Sequence, residues 1–230
     1  MRIWIDTAAV ARAEKLFGLP PIERLRRSVP ALLQAMPVVL SGPDAAAAAW
    51  PAATLDVDAA PLGSRLRKAL SDGPLVALDG ANVIDSRLID VLATGTASCV
   101  AARGEGDQRA VAMRLESNLL DAIPPEATTL LAVADALRAA GRIAPLSEAE
   151  FPAYINKLRR SLPYWIHAVN DDVTRQRLER QMFWDNYKGS TDLLTRYVYP
   201  PLVWPLVQLC VRLGIHPNAV TVLAIGLTIA

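Results

Sequence analysis

The sequence is poor in cysteine and histidine, which narrows the chemistry available to it. Of its 230 residues only two are cysteines and two are histidines. Cys99 and Cys210 lie far apart without CxxC spacing, which argues against a disulfide framework or a zinc site and is typical of a reducing compartment. The only histidines are His167 and His216, so we do not expect a histidine-rich metal centre.

Two further features are missing: an excess of one charge and a secretion leader. The net charge is +1, so no polyelectrolyte signal indicates a nucleic-acid partner, and we expect none. The N-terminal stretch MRIWIDTAAVARAEKLFG carries charges inside its first apolar run and has no long hydrophobic region. It is therefore not a signal peptide, and the soluble part is expected to face the cytoplasm.

What the sequence does have is an uneven surplus of apolar residues. Hydrophobic residues make up 52% of the chain and the mean hydropathy is +0.24. Residues 213–230 contain no Asp, Glu, Lys or Arg and end in AVTVLAIGLTIA. Because a membrane span needs about 20 apolar residues, these twelve predict the beginning of a transmembrane helix in a longer protein. The alternative is a short buried helix of a soluble protein.

Residues 1–146 alternate strand-like and helix-like patterns. Short Val-, Ile- and Leu-rich runs bounded by Gly, Pro or Asp predict strands at 2–6, 37–40, 53–57, 74–80, 97–103 and 109–115. Helical spacing of apolar residues lies between them, at 21–36, 60–72 and 86–94. This alternation predicts an α/β domain with a mostly parallel sheet and helices on both faces.

Beyond residue 146 the pattern predicts helices and no further strand. In the predicted helical linker, 147–187, Ser147 and Glu150 have capping-box spacing, and acidic residues at 171 and 172 suit a helix N-terminus. Seven basic residues against four acidic ones between 157 and 188 favour a cytoplasmic juxtamembrane region; a solvated helical face is the alternative. In 188–230 an amphipathic interfacial helix, started or broken by its prolines, precedes the apolar end.

The last forty-five residues resemble the entry segment of the CDP-alcohol phosphatidyltransferase family. The matching positions are Lys188, Asp192, Thr195 and Arg196, followed by Gly214, Ile215, Pro217, Asn218, Val220 and Thr221. The resemblance implies that Lys188, Asp192, Arg196, Asn218 and Thr221 contact substrate at the membrane surface. From the residues alone, Asn218 and Thr221 equally well only start a helix, with Asn218 capping it.

The same resemblance implies the reaction, although its chemistry lies outside this chain. Family members transfer a phosphoalcohol group from a CDP-linked donor to an alcohol and release CMP. Their D-x2-D-G-x2-A-R-x8-G-x3-D-x3-D signature holds Mg²⁺ or Mn²⁺, and it is absent from residues 1–230. The implied partners are membrane lipid and a CDP-alcohol donor, with a homodimer expected and the complete enzyme located in the cell membrane.

The first domain resembles sugar-nucleotidyltransferase-like domains that are fused to some members of this family. FGLPPIERLRRSV (17–29) and PLVALDGANVIDSRLIDVL (74–92) carry the likeness, which implies a Rossmann-like nucleotidyltransferase-type fold with Asp79 and Asp85 as nucleotide-binding or metal-contacting residues. The alternative for these two is an Asp-Gly turn and a helix cap. The segment after the first strand has no glycine-rich loop of the kind that cradles a triphosphate. This absence counts against active nucleotidyl transfer.

These observations leave two functions of different classes. The first is the N-terminal portion of a membrane phospholipid-synthesis enzyme whose catalytic motif lies beyond this chain. The second is a non-catalytic, membrane-tethered module that binds a nucleotide or dimerises through its α/β domain.

Overall fold

The computed structural model describes residues 1–28, 36–48, 50–104, 109–187 and 197–229. The main strands are β1 (Arg2–Asp6), β2 (Val38–Ser41), β3 (Thr54–Asp56), β4 (Leu75–Asp79), β5 (Asn82–Ile84), β6 (Cys99–Arg103) and β7 (Ala110–Leu115). Four short ones follow: β8 (Ala144–Pro145), β9 (Tyr154–Ile155), β10 (Arg160–Ser161) and β11 (Ile166–Ala168). The α-helices are α1 (Pro21–Ser28), α2 (Leu62–Ser71), α3 (Ser86–Thr94), α4 (Leu130–Ala139), α5 (Asp172–Asp185), α6 (Tyr199–Arg212) and α7 (Pro217–Ile229).

A seven-stranded, mainly parallel sheet forms the centre of the α/β unit. Its strand order is β3-β2-β1-β4-β7-β6-β8. Strands β3, β2, β1 and β4 are parallel, whereas β7 runs antiparallel to both of its neighbours. The predicted α/β fold is confirmed, and all six predicted strands are present. The reversed direction of β7 is a feature that the strand patterns did not predict.

Helices cover both faces of this sheet, as predicted. On one face, residues of α1 and α3 pack with Ile3, Ile5, Val76 and Leu78. On the other face, α2 and α4 pack around Trp4, which is fully buried. Neighbouring positions of β1 and β4 therefore point to opposite cores, as the pleat of a strand requires, and the central positions of both strands are apolar because both faces are covered.

The prediction of helices without strands is wrong for the first part of the linker, 147–187. Ser147 does cap a helix, but only a single 3₁₀ turn, Glu148–Glu150. Pro152 lacks the N–H that a continuing helix needs and disfavours helical backbone before it. The chain continues instead through β9, β10 and β11, and β11 pairs antiparallel with β5. Phe151, Tyr164 and Ile166 are buried in the same core as α1 and α3, so this segment packs as part of the α/β unit.

The C-terminal helices follow the predicted order. The Asp171 side chain caps α5 by accepting the Thr174 N–H at 2.7 Å. Helix α6 begins with prolines in its first turn and continues through Pro205 without a break, whereas a break was one expectation. Within the described ranges, no helix has the length and apolar character needed to cross a membrane.

Candidate functional site at the carboxyl edge of the sheet

The strand order places a topological switch point between β1 and β4, at the carboxyl edge of the sheet. Strands β1 and β4 are neighbours, yet the chain leaves β1 towards β2 on one side and leaves β4 towards β6 on the other. At such a topological switch point a crevice opens outside the carboxyl ends of the two strands, and ligands of open α/β sheets bind there. The last residues of the strands, Asp6 and Asp79, stand side by side in the register.

The carboxylate of Asp6 is already held by a buried guanidinium. Arg65 of α2 donates to Asp6 Oδ1 at 2.8 Å, to Ser41 Oγ at 2.9 Å and to the Ala60 carbonyl at 3.0 Å. The side chains of Arg65 and Asp6 are only 3% and 8% exposed. Burial raises the pKa of Asp6, and the hydrogen bond and positive charge of Arg65 oppose this rise. Arg65 therefore neutralises one of the two carboxylates at this edge.

Sequence reasoning missed both members of this ion pair. An Asp that ends a buried first strand was the available signal for Asp6, because such strand ends meet at the crevice. Arg65 carried no signal, since an arginine in an amphipathic helix is typical of a solvated face.

Asp79 has no comparable counter-charge among the residues that the structure describes. Its Oδ1 accepts the Ala81 N–H at 2.8 Å, which closes the Asp-Gly turn expected as its structural alternative. Burial, with a smaller contribution from the charge of Asp6, raises the pKa of Asp79 from 3.8 to about 6. A carboxyl group with a strongly shifted pKa at the edge of a sheet where ligands commonly bind is a candidate for function. That Asp79 contacts a nucleotide stays a prediction.

Apolar side chains fill the space above the junction of β1 and β4. The Gly80 N–H donates to the Asp6 carbonyl at 2.9 Å, which joins the two strand ends. A Cβ atom at Gly80 would lie 2.9 Å from Val10 Cγ2 and 3.1 Å from Ile22 Cδ1. Val10 belongs to the segment after β1, where a nucleotidyltransferase has its glycine-rich phosphate loop. An apolar contact here provides no N–H donors for a triphosphate.

Asp85, the other expected nucleotide-binding residue, makes the contacts of a helix cap, and its contact with a nucleotide stays a prediction. It caps α3 by accepting the Arg87 N–H at 3.0 Å. The Arg87 guanidinium also binds its carboxylate, with Nη2 at 2.6 Å from Oδ2. The carboxylate is buried, and these bonds occupy both oxygens. The observed contacts are those of the helix-cap alternative.

The residues expected to contact substrate at the membrane surface divide into two groups. Lys188, Asp192 and Arg196 lie outside the described residues. Helix α7 begins at Pro217, so Asn218 lies inside its first turn and not at the capping position expected for it. His216 takes the capping role instead, because its Nδ1 accepts the Asn218 N–H at 3.2 Å. Thr221 Oγ1 donates to the Pro217 carbonyl at 3.3 Å. Both side chains are exposed, and their substrate contacts stay predictions.

The carboxyl edge does not fit a divalent cation. Mg²⁺ and Mn²⁺ prefer oxygen ligands in sets that include several carboxylates or waters. In the part of the chain that the structure describes, no group of three or more His, Cys, Asp or Glu side chains could hold a metal ion. Arg65 already occupies the position beside Asp6 where a cation would stand. The Mg²⁺ or Mn²⁺ expected for the complete protein stays a prediction.

Comparison with known proteins adds structural similarity at low sequence identity. No protein-family model and no curated protein matches the sequence. The bifunctional IspDF from Campylobacter jejuni is similar over 71% of this chain, with 13% identity and a TM-score of 0.43. This chain spans about half of that protein, 52% of its length. A Bacillus anthracis protein described as a glucose-1-phosphate thymidylyltransferase is similar over 79% of this chain and 94% of its own, with 11% identity and a TM-score of 0.46. Because these TM-scores are low, the fold assignment depends on the strand order.

Proposed function

We propose that this chain is the N-terminal portion of a membrane enzyme of phospholipid synthesis. The complete enzyme would transfer a phosphoalcohol group from a CDP-linked donor to an alcohol and release CMP. The proposal extends the motif resemblance of residues 188–230. Its catalytic step belongs to the carboxylate signature beyond residue 230.

The observation that supports this proposal is the surface of α7. The helix has exposed apolar side chains on all its sides, among them Val220, Val222, Leu223 and Ile225, which are 44% to 69% exposed. An apolar helix is normally covered by protein or by lipid. At about 1.5 Å per residue α7 is about 20 Å long, against about 30 Å for a hydrocarbon core. In the proposed membrane enzyme, lipid and further transmembrane helices would cover the apolar side chains of α7.

In this proposal the α/β domain does not perform nucleotidyl transfer. The apolar contact of Val10 over Gly80 and the pairing of Arg65 with Asp6 leave no phosphate cradle at the carboxyl edge. The domain would instead serve as a cytoplasmic scaffold or regulatory unit, or recognise the donor through Asp79.

One observation favours the second candidate, a membrane-tethered dimerisation module. Strand β3 lies at the edge of the sheet, and Leu55 and Val57 beside this edge are 49% and 63% exposed. Exposed apolar residues on an edge strand are suited to pairing with a second copy. The two candidates differ in whether the gene product performs chemistry.

The experiment is a CMP-release assay with a radiolabelled CDP-alcohol, Mg²⁺ and a panel of acceptor alcohols. Membranes that contain the product of the complete reading frame should release CMP, whereas the purified 230-residue chain should release none. Membranes without the gene are the control. If the complete product releases no CMP with any acceptor, the enzyme proposal is rejected and the membrane-tethered dimerisation module remains. Its dimerisation is then measured by analytical ultracentrifugation, with a Leu55→Lys variant as the test of the β3 edge.

A further inference from the structure

A cleft between α5 and α6 combines positive charge with apolar surface. Its volume is about 560 Å³. The arginines in its wall are Arg175, Arg177, Arg180 and Arg212, and the apolar wall includes Trp204 and Val211. None of these residues takes part in the site at the carboxyl edge of the sheet.

Contacts between the two helices fix the walls of this cleft. The buried carboxylate of Glu179 accepts the Phe17 N–H at 2.7 Å and the Gln208 amide at 3.4 Å, so it links α5 to α6 and to the loop after β1. The rings of Phe183 and Trp204 also lie 5.1 Å apart, centroid to centroid. The arginines therefore stand on a packed pair of helices.

The positive charge of the cleft is only partly compensated. Glu179 and Asp172 bind Arg175. Arg180 and Arg212 are exposed, and neither forms an ion pair with another residue in the described ranges. A guanidinium can bind phosphate oxygens through two parallel N–H bonds, which makes arginine the residue suited to phosphate recognition.

The apolar neighbourhood decides which phosphate fits. On α6 the cleft is lined by Trp204 and Val211 as well as Arg212, and the opposite side of the same helix carries Leu202, Leu206 and Leu209, which are 51% to 61% exposed. A ligand with a phosphate and acyl chains can place its charge against the arginines and the start of its chains along Trp204 and Val211, while the exposed leucines on the far side of α6 suit the same apolar surroundings. We propose that the cleft between α5 and α6 binds the phosphate group of an anionic phospholipid. This inference depends on the membrane association in the proposed function.

The test is flotation of the full chain with phosphatidylcholine vesicles, with and without phosphatidylglycerol. We expect the wild-type chain to bind the anionic vesicles more tightly than the neutral ones. The Arg180→Gln, Arg212→Gln double variant should lose roughly 25-fold in affinity for the anionic vesicles, since each basic residue near an anionic surface contributes about fivefold. The double variant Arg138→Gln, Arg142→Gln, with the same change in charge on exposed residues of the α/β unit, should bind like the wild type.

A charge-preserving variant separates a phosphate site from diffuse attraction. Arg180→Lys together with Arg212→Lys keeps the charge but removes the bidentate geometry, so we expect several-fold weaker binding to the anionic vesicles. Wild-type binding by this variant would overturn the site and leave membrane association intact. Failure of the wild type to bind either vesicle would overturn this inference, whereas the CMP-release assay on the complete product decides the proposed function separately. Tight binding of inorganic phosphate in calorimetry, without arginine-dependent flotation, would assign the cleft to a soluble phosphate and overturn the lipid.

Discussion

Replacing Asp79 by Asn should stabilise the protein, and the gain should depend on pH. The pKa of Asp79 is about 6 in the folded protein, against 3.8 for an ordinary Asp. Since this pKa is raised by folding, the folded state binds the proton more tightly, and stability falls as pH rises between these values. At about 1.36 kcal/mol per pKa unit, the ionised carboxylate costs about 3 kcal/mol above pH 6. Asn carries no charge, and its Oδ1 can still accept the Ala81 N–H.

The assay is urea unfolding of both proteins across the pH range. The free energy of unfolding of Asp79→Asn should exceed that of the wild type by about 3 kcal/mol above the folded pKa. The difference should vanish below pH 3.8, the ordinary Asp value. Asp121→Asn is the matched control, because the Asp121 side chain is 99% exposed, and it should show no such dependence. A gain independent of pH, or a loss above pH 6, would refute the assignment of an unfavourable charge to Asp79.

Two further substitutions test how the α/β unit is held together. Arg65→Met should lower the free energy of unfolding by about 3–5 kcal/mol, because it leaves the Asp6 carboxylate buried without its partner. A urea midpoint close to that of the wild type would contradict this reasoning and show that water reaches Asp6. Gly63→Ala should cost about 1–3 kcal/mol or more, since its Cβ would lie 1.9 Å from the Pro124 carbonyl oxygen. Its control is Gly226→Ala in α7, where a Cβ meets nothing within 4 Å. That change should leave stability equal or higher, and equal effects at the two glycines would contradict the close approach at Gly63.

The strands of the central sheet were predictable because their signal is local. Each of the six is a short, mostly apolar run bounded by Gly, Pro or a charged residue, and burial on both faces makes the central positions of β1 and β4 apolar. The direction of β7 was not predictable, since an antiparallel strand buried on both faces has the same apolar pattern as a parallel one. Strands of two or three residues, such as β9 and β10, are too short to show a period.

The candidate site was less accessible to sequence reasoning. Asp79 and Asp85 were singled out from the sequence, each with a structural alternative, an Asp-Gly turn for Asp79 and a helix cap for Asp85. The structure shows the contacts of both alternatives, and contact with a nucleotide stays a prediction for both residues. The pairing of Asp6 with Arg65 joins residues 59 positions apart, and only the packing of α2 against the sheet brings them together. The cleft between α5 and α6 likewise depends on how two helices pack, which residue counts do not reveal.

The pairing of β11 with β5 has a consequence for how the chain folds. Ile166 lies opposite Ile84, so this small sheet closes a loop of about 80 residues, and contacts of such long range slow folding. During synthesis the α/β unit cannot bury Ile84 fully until residues 166–168 have left the ribosome. A fragment that ends at residue 146 should therefore expose apolar surface and aggregate, whereas one that extends past Leu178, which is also buried, should be soluble.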